Sequence, residues 1–155
     1  MSNTLVKTAR KADGRYLNDQ ELHEFESLVD SFNTRLAIYK YLKNEDKTLV
    51  VNALRRVMQT KHRKAIQEHS AKCQRDMLYT LDCIARACLL SNADQFVEEY
   101  VVWMQNITRA LHKEDSAVDA YRALQEEVKT VLPGEPARVV NGYLERLIEA
   151  IANGM

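Results

Sequence analysis

All three cysteines fall in one stretch, KCQRDMLYTLDCIARAC, residues 72–88. Cys73 follows Lys72 and precedes Arg75 and Asp76, so a thiol, two cations and a carboxylate sit within little more than one helical turn. Neighbouring positive charge favours the thiolate, the nucleophilic form of cysteine. Lys72 and Arg75 are suited to receiving carboxylates, the arginine in bidentate fashion. At about 100° per residue, Cys73, Asp76, Met77, Thr80, Ile84 and Ala87 share one helix face, and Arg75, Tyr79, Asp82 and Arg86 form the adjoining stripe. A carboxylate buried on the first face is costly unless something pairs with it, and burial by itself raises its pKa. Two readings follow. In one, Cys73 is a small core residue and its charged neighbours face water. In the other, this face lines a pocket whose ligand is long, largely apolar, rich in N–H groups, acidic at two points and able to accept a thiol.

No other residue set suggests chemistry as directly. Cys83 and Cys88 read as core residues, and the spacing 73, 83, 88 fits no zinc template and contains no CxxC. His62 and His69 lie in the basic run RRVMQTKHRKAIQEH, which reads as a solvated helix face rather than a nucleic-acid site. His23 and His112 are isolated and expected to be exposed, while Trp103 and Met104 read as core. There is no phosphate-binding glycine loop, no nucleophile elbow and no Ser/His/Asp arrangement. No catalytic residue and no metal ligand is assigned, and no reading makes the chain an enzyme.

The elements that must position Cys73 are helices. Glycine occurs only at 14, 134, 142 and 154 and proline only at 133 and 136. A long interior without either punctuator reads as helices joined by polar corners, not as a sheet of short strands. A short helix covers roughly 4–12. A second starts at Asn18, whose Glu21 three residues later completes a capping-box pattern, and its apolar positions Leu22, Phe25, Leu28, Val29, Phe32, Leu36 and Tyr39 keep helical spacing. Another begins at NEDKTLVV, with Leu49, Ala53 and Val57 on one side. Further helices cover 71–90, DQFVEEYVVWMQNITRAL, and a segment capped by Ser116 and stopped by PGEP. Pro136 opens the last, which carries Val140, Tyr143, Leu144, Leu147, Ile148 and Ile151. Seven or eight helices without heptads point to an all-α, globin-like orthogonal packing.

Composition sets the remaining bounds. At 155 residues the length suits a single domain, residues 1–155 with about 1–17 as an N-terminal extension, able to bury about 70% of its unfolded surface. Lys plus Arg number 22 and Asp plus Glu number 22, a balance that gives no global attraction to nucleic acid or anionic membrane. No apolar run approaches the ~18 residues of a membrane span, and MSNTLVKTARKADGRYL lacks the apolar centre of a signal peptide. A cytoplasmic protein with reduced cysteines is the expectation.

A linear tetrapyrrole has every feature the pocket reading demands, and at this point the chain resembles the phycobiliprotein family, which includes allophycocyanin and phycocyanin. KADGRYLNDQEL (residues 11–22) resembles the family's Ala-Asp…Arg-Tyr-Leu…Glu-Leu passage. KCQRDMLYTLDCIARACLL resembles its chromophore helix with the Lys-Cys-x-Arg-Asp start, and GYLERLIEAIAN its closing helix. The three come in order at nearly the family spacing, and the resemblance spans roughly residues 4–152. It implies a globin-like fold and a phycocyanobilin-like pigment bound covalently through a Cys73 thioether to ring A. It further implies Asp76 accepting from the N–H groups of the two central rings, Arg75 with Lys72 holding the propionates, and Tyr79 contacting the pigment. Light harvesting, light sensing or bilin carriage are the implied roles, with a homodimer or a related phycobiliprotein subunit as partner and peripheral thylakoid location through a phycobilisome.

The sequence also departs from the family. The stretch 58–72, MQTKHRKAIQEHSAK, is shorter than the family's loop before the chromophore helix and lacks its Gly and Pro. The Asn of that loop, methylated in many β-type members, has no counterpart. Asp82 stands where the family has an Arg that pairs with an N-terminal Asp of a partner subunit, while Asp13 is retained; Arg86 is placed to compensate. These changes argue against ordinary trimer or hexamer stacking. The competing readings are a pigment-free globin-like sensory or interaction domain, and a haem globin with His69 or His112 on the iron.

Overall fold

The computed structural model describes residues 3–153. Among them the regular structure is wholly helical, with no strand. In chain order the helices are α1 (Asn3–Lys11), α2 (Asp19–Asp30), α3 (Phe32–Val57), α4 (Arg63–Glu68), α5 (Ser70–Leu89), α6 (Ala93–Phe96), α7 (Val102–Ala110), α8 (Glu114–Val131) and α9 (Gly134–Ala152). A π-helical segment, Val97–Val101, joins α6 to α7. Helix α3 packs on α5 and α8, α8 on α9, and α7 on α9. Their shared core includes Leu42, Leu49, Leu81, Ile84, Leu124 and Leu147, each at most 1% exposed.

The start of α2 forms as its sequence predicts. Asn18 Oδ1 accepts from the Glu21 N–H at 2.9 Å, and Glu21 Oε2 accepts from the Asn18 N–H at 2.9 Å. Arg15 adds bonds to both Glu21 oxygens at 2.9 and 3.0 Å. These bonds hold the Glu21 carboxyl at about 2, far below its usual range. The first loop turns at Gly14, whose φ of +82° costs a residue without Cβ nothing.

Three expectations about the helices need correction. The chain breaks at Ser31, although the apolar spacing continues from Leu22 to Tyr39. Arg35 bridges the break: its guanidinium donates to the Leu28 carbonyl at 2.7 Å and to that of Leu89, and its Nε donates to Ser31 Oγ at 3.0 Å. These carbonyls belong to the last turns of two helices, where backbone donors run out. Helix α2 buries none of its residues; Val29 is 71% exposed. Conversely, no new helix starts at Asn44. α3 runs straight through the polar stretch because Leu42 and Leu49 lie on the same buried side, and packing outweighs the local preference of Asn and Asp for a cap. Finally, α8 begins at Glu114 and Ser116 is not its cap; the Ser116 hydroxyl donates back to the Lys113 carbonyl at 3.2 Å. The predicted role of Pro136 holds, in the first turn of α9.

The glycine-free interior turns by another device. Ser91 and His112 adopt φ of 50° and 52° just beyond the ends of α5 and α7. The next residue's N–H reaches back into the helix in both cases, Asn92 to Ala87 and Lys113 to Thr108, each at 2.9 Å. These are Schellman-type endings made without glycine.

Candidate functional site

Helix α5, the length of α7 and the start of α8 enclose a groove of about 290 Å³. Lys72, Cys73, Arg75 and Asp76 all line it. Tyr79 does not. It is half-exposed and belongs to a smaller cleft with Cys83, Arg86 and Glu99. Cys73, Asp76 and Met77 face α7 and α8, whereas Tyr79 lies on the adjoining stripe; Arg75, expected on that same stripe, lines the groove all the same. The Tyr79 ring packs edge-on against Tyr100, with centroids 5.6 Å apart.

Cys73 is half-buried and packs against a small cluster formed by Val57, Ile66 and Ala120. It therefore has features of both initial readings, a packed thiol that still reaches the groove. Burial raises its pKa and Asp76 raises it further, while Lys113 and Lys72 only partly oppose them. The expected thiolate-favouring effect of the flanking cations is thus outweighed by desolvation.

Asp76 stands on the groove rim with its side chain 40% exposed, 3.9 Å from Arg75 Nε. The carboxylate is consequently tolerated by water as well as by any ligand, and the anticipated burial cost is largely avoided. Beneath it lies a buried hydroxyl cluster. Thr80 Oγ1 donates to the Asp76 carbonyl at 2.9 Å. Its two lone pairs face the hydroxyls of Tyr100 and of Tyr121, the latter at 3.0 Å. One hydrogen and two lone pairs are all a threonine hydroxyl has, so the cluster is complete when both phenols donate. Burial raises both phenols, Tyr121 to about 12.

Several groove residues escaped the sequence reading. Trp103, taken for core, is 48% exposed and with Ile107 and Leu111 forms the apolar wall opposite α5. Their 103, 107, 111 spacing marks one helix face, which follows the π segment and lines the groove. Met104 is buried as expected, as is Cys88, whereas Cys83 is only half-buried. Lys113 supplies a cation from across the groove. His69 lines the groove and is exposed. His112 is exposed in its left-handed turn. His23 is exposed as expected, but His62 is largely buried, its side chain 13% exposed, and is no part of a solvated face.

The chain is thus an all-α protein with a thiol, two cations and a carboxylate lining one apolar groove, and comparison makes the class specific. The chain belongs to the phycobilisome protein family, whose model matches residues 5–151. Allophycocyanin alpha chain 2 of Microchaete diplosiphon is 27% identical over 145 residues, covering 88% of this chain and 90% of that protein. The family carries the phycobiliprotein globin-like fold, its members are light-harvesting proteins and not enzymes, and they assemble with related subunits. Among the described residues no helix is long and apolar enough to cross a membrane.

Proposed function

We propose that this chain is an allophycocyanin-like pigment protein that binds a phycocyanobilin-type linear tetrapyrrole through a thioether at Cys73. The observation that supports it most is the convergence of Cys73, Asp76, Lys72 and Arg75 on one apolar groove. The bond to ring A is an addition: Cys73 Sγ bonds to carbon, the ring's exocyclic double bond is consumed, and the thiol proton passes to carbon, with no oxidant needed. Asp76 is placed to accept from the central ring N–H groups, and Lys72 and Arg75 to hold the propionates. Tyr79 is assigned no pigment contact in the isolated chain, because it faces the other cleft.

At about 290 Å³, the groove is at the small end of ligand sites, which run from about 300 to 1,000 Å³. A four-ring pigment would extend beyond it, toward solvent or a neighbouring subunit. Asp82 is paired internally with Arg86 at 2.9 Å, which removes its charge from the inter-subunit contact that the family makes with Arg at this place. We take the assembly to be small, with peripheral attachment to the thylakoid surface through a phycobilisome. A pigment-free interaction domain is the second reading, favoured by the burial that raises the Cys73 thiol's pKa.

Production of the chain together with a bilin supply, followed by zinc fluorescence on a denaturing gel, separates the two. Covalent fluorescence is expected for the parent, Cys83→Ala and Cys88→Ala and is expected to vanish in Cys73→Ala. Its absence from the parent, or its survival in Cys73→Ala, would overturn the proposal. Asp76→Ala should keep the pigment attached but lower the red band relative to the near-ultraviolet band.

A further inference from the structure

A second constellation lies behind the groove, where the turn after α3 meets α8. His62 is held there by its own turn: Thr60 Oγ1 accepts from the His62 N–H at 3.2 Å and donates to the Val57 carbonyl at 2.6 Å. The imidazole Nε2 is 3.0 Å from Asp119 Oδ2 and 3.4 Å from Asp115 Oδ2, two carboxylates one turn apart on α8. The ligand atoms of the three residues all lie within 4.8 Å of one another.

Two features distinguish this set from an ordinary surface ion pair. First, Nε2 is shut off from solvent and makes no hydrogen bond, although two acceptors lie this close. The direction along which the ring nitrogen would donate therefore misses both oxygens. Second, the separations match the edges of a coordination polyhedron. For metal–ligand bonds of about 2.0–2.2 Å, ligands at 90–109° stand roughly 2.9–3.5 Å apart. An imidazole and two carboxylates with open positions suit Zn²⁺ and the neighbouring first-row divalent ions. Charge agrees: the two carboxylates are opposed by one ammonium, Lys61 Nζ, 2.9 Å from Asp115 Oδ2.

We propose that His62, Asp115 and Asp119 form a divalent-cation site of the Zn²⁺ class, with Lys61 as the resident competitor for Asp115. The bound ion would clamp the short turn before α4 to the first turns of α8. Ser116, Ala117 and Ala120 of those same turns line the Cys73 groove, so the ion would stiffen one groove wall from behind. The site does not depend on a bilin being bound.

The test uses the full-length, chelator-treated, pigment-free chain, with Zn²⁺ titrated against a chromophoric chelator and Co²⁺ as a spectroscopic probe. One equivalent of each ion is expected to bind. His62→Gln and Asp119→Asn should each weaken binding at least tenfold. Lys61→Ala should tighten it several-fold by removing the competing cation, an effect that loss of folding would not mimic. Cys73→Ser should bind like the parent, and the Co²⁺ spectrum should lack thiolate charge-transfer bands. No binding at 100-fold excess Zn²⁺, parental affinity in His62→Gln, weaker binding in Lys61→Ala, or loss of binding in Cys73→Ser would each overturn the proposal.

Discussion

Thr80→Val tests whether the hydroxyl cluster under the groove holds α5 to its neighbours. Valine keeps the shape of threonine and puts a methyl group where the hydroxyl was, so no large cavity opens. The Asp76 carbonyl loses a donor, which is minor because it lies within α5. The Tyr100 and Tyr121 hydroxyls lose their shared acceptor. Should the two phenols turn to bond each other, one is rescued and the other is left a buried donor without a partner. That single orphan costs about 1–3 kcal/mol. With about 2–4 °C per kcal/mol at this chain length, the melting temperature should fall by roughly 4–8 °C for a cost near 2 kcal/mol. Urea and thermal unfolding of the pigment-free protein, followed by circular dichroism at 222 nm, give the value if the two transitions coincide. The companion variant Thr80→Val/Tyr100→Phe/Tyr121→Phe removes the orphan along with its partner and should recover stability relative to Thr80→Val, because matched apolar replacement is nearly neutral. A Thr80→Val cost below about 0.5 kcal/mol, or a triple variant less stable than Thr80→Val, would refute the reasoning.

Alkaline unfolding offers a second check on the same cluster. Tyr100 and Tyr121 are raised in the fold, so their contribution is complete below the unfolded tyrosine pKa of ~10 and is lost as pH rises toward the folded values; between pH 10 and 12 stability should drop by up to about 3 kcal/mol per pH unit for the two together, measured by urea titration at stepped pH. Cys73, raised mainly by burial and next by Asp76, should alkylate with iodoacetamide several-fold more slowly at pH 8 than a free thiol. Its rate should climb as pH passes the ordinary cysteine range; Asp76→Asn should accelerate it and Lys113→Ala slow it, and the reverse order would show that the named charges do not govern the thiol. Analytical ultracentrifugation should find a small oligomer, most simply a dimer, because Asp82 is committed to Arg86 and the 58–72 segment is short; a stable trimer or hexamer would contradict this.

Much of this protein is legible in the sequence because its helices carry local signals. The Asn18 capping box forms between residues three apart, and Pro136 fits the first turn of α9 because its ring fixes φ. The angular arithmetic of α5 is equally local: it set Cys73 and Asp76 apart from Tyr79, but it also put Arg75 on the Tyr79 stripe, and Arg75 lines the groove. What the sequence could not decide is which face meets what. Arg35, at the break between α2 and α3, reaches the Leu89 carbonyl, 54 residues away, and no window around Ser31 contains that contact. Asn44 reads as a cap, yet α3 continues because Leu42 and Leu49 need the same core. Trp103 reads as core, yet it lies half-exposed on the groove wall. The charge of the Cys73 thiol is likewise a tertiary quantity: its flanking cations are local, but the desolvation that outweighs them comes from Val57, Ile66 and Ala120 on three other helices. The approach of His62 to Asp115 and Asp119 has the same origin, since residues more than fifty positions apart meet only when α3 packs against α8.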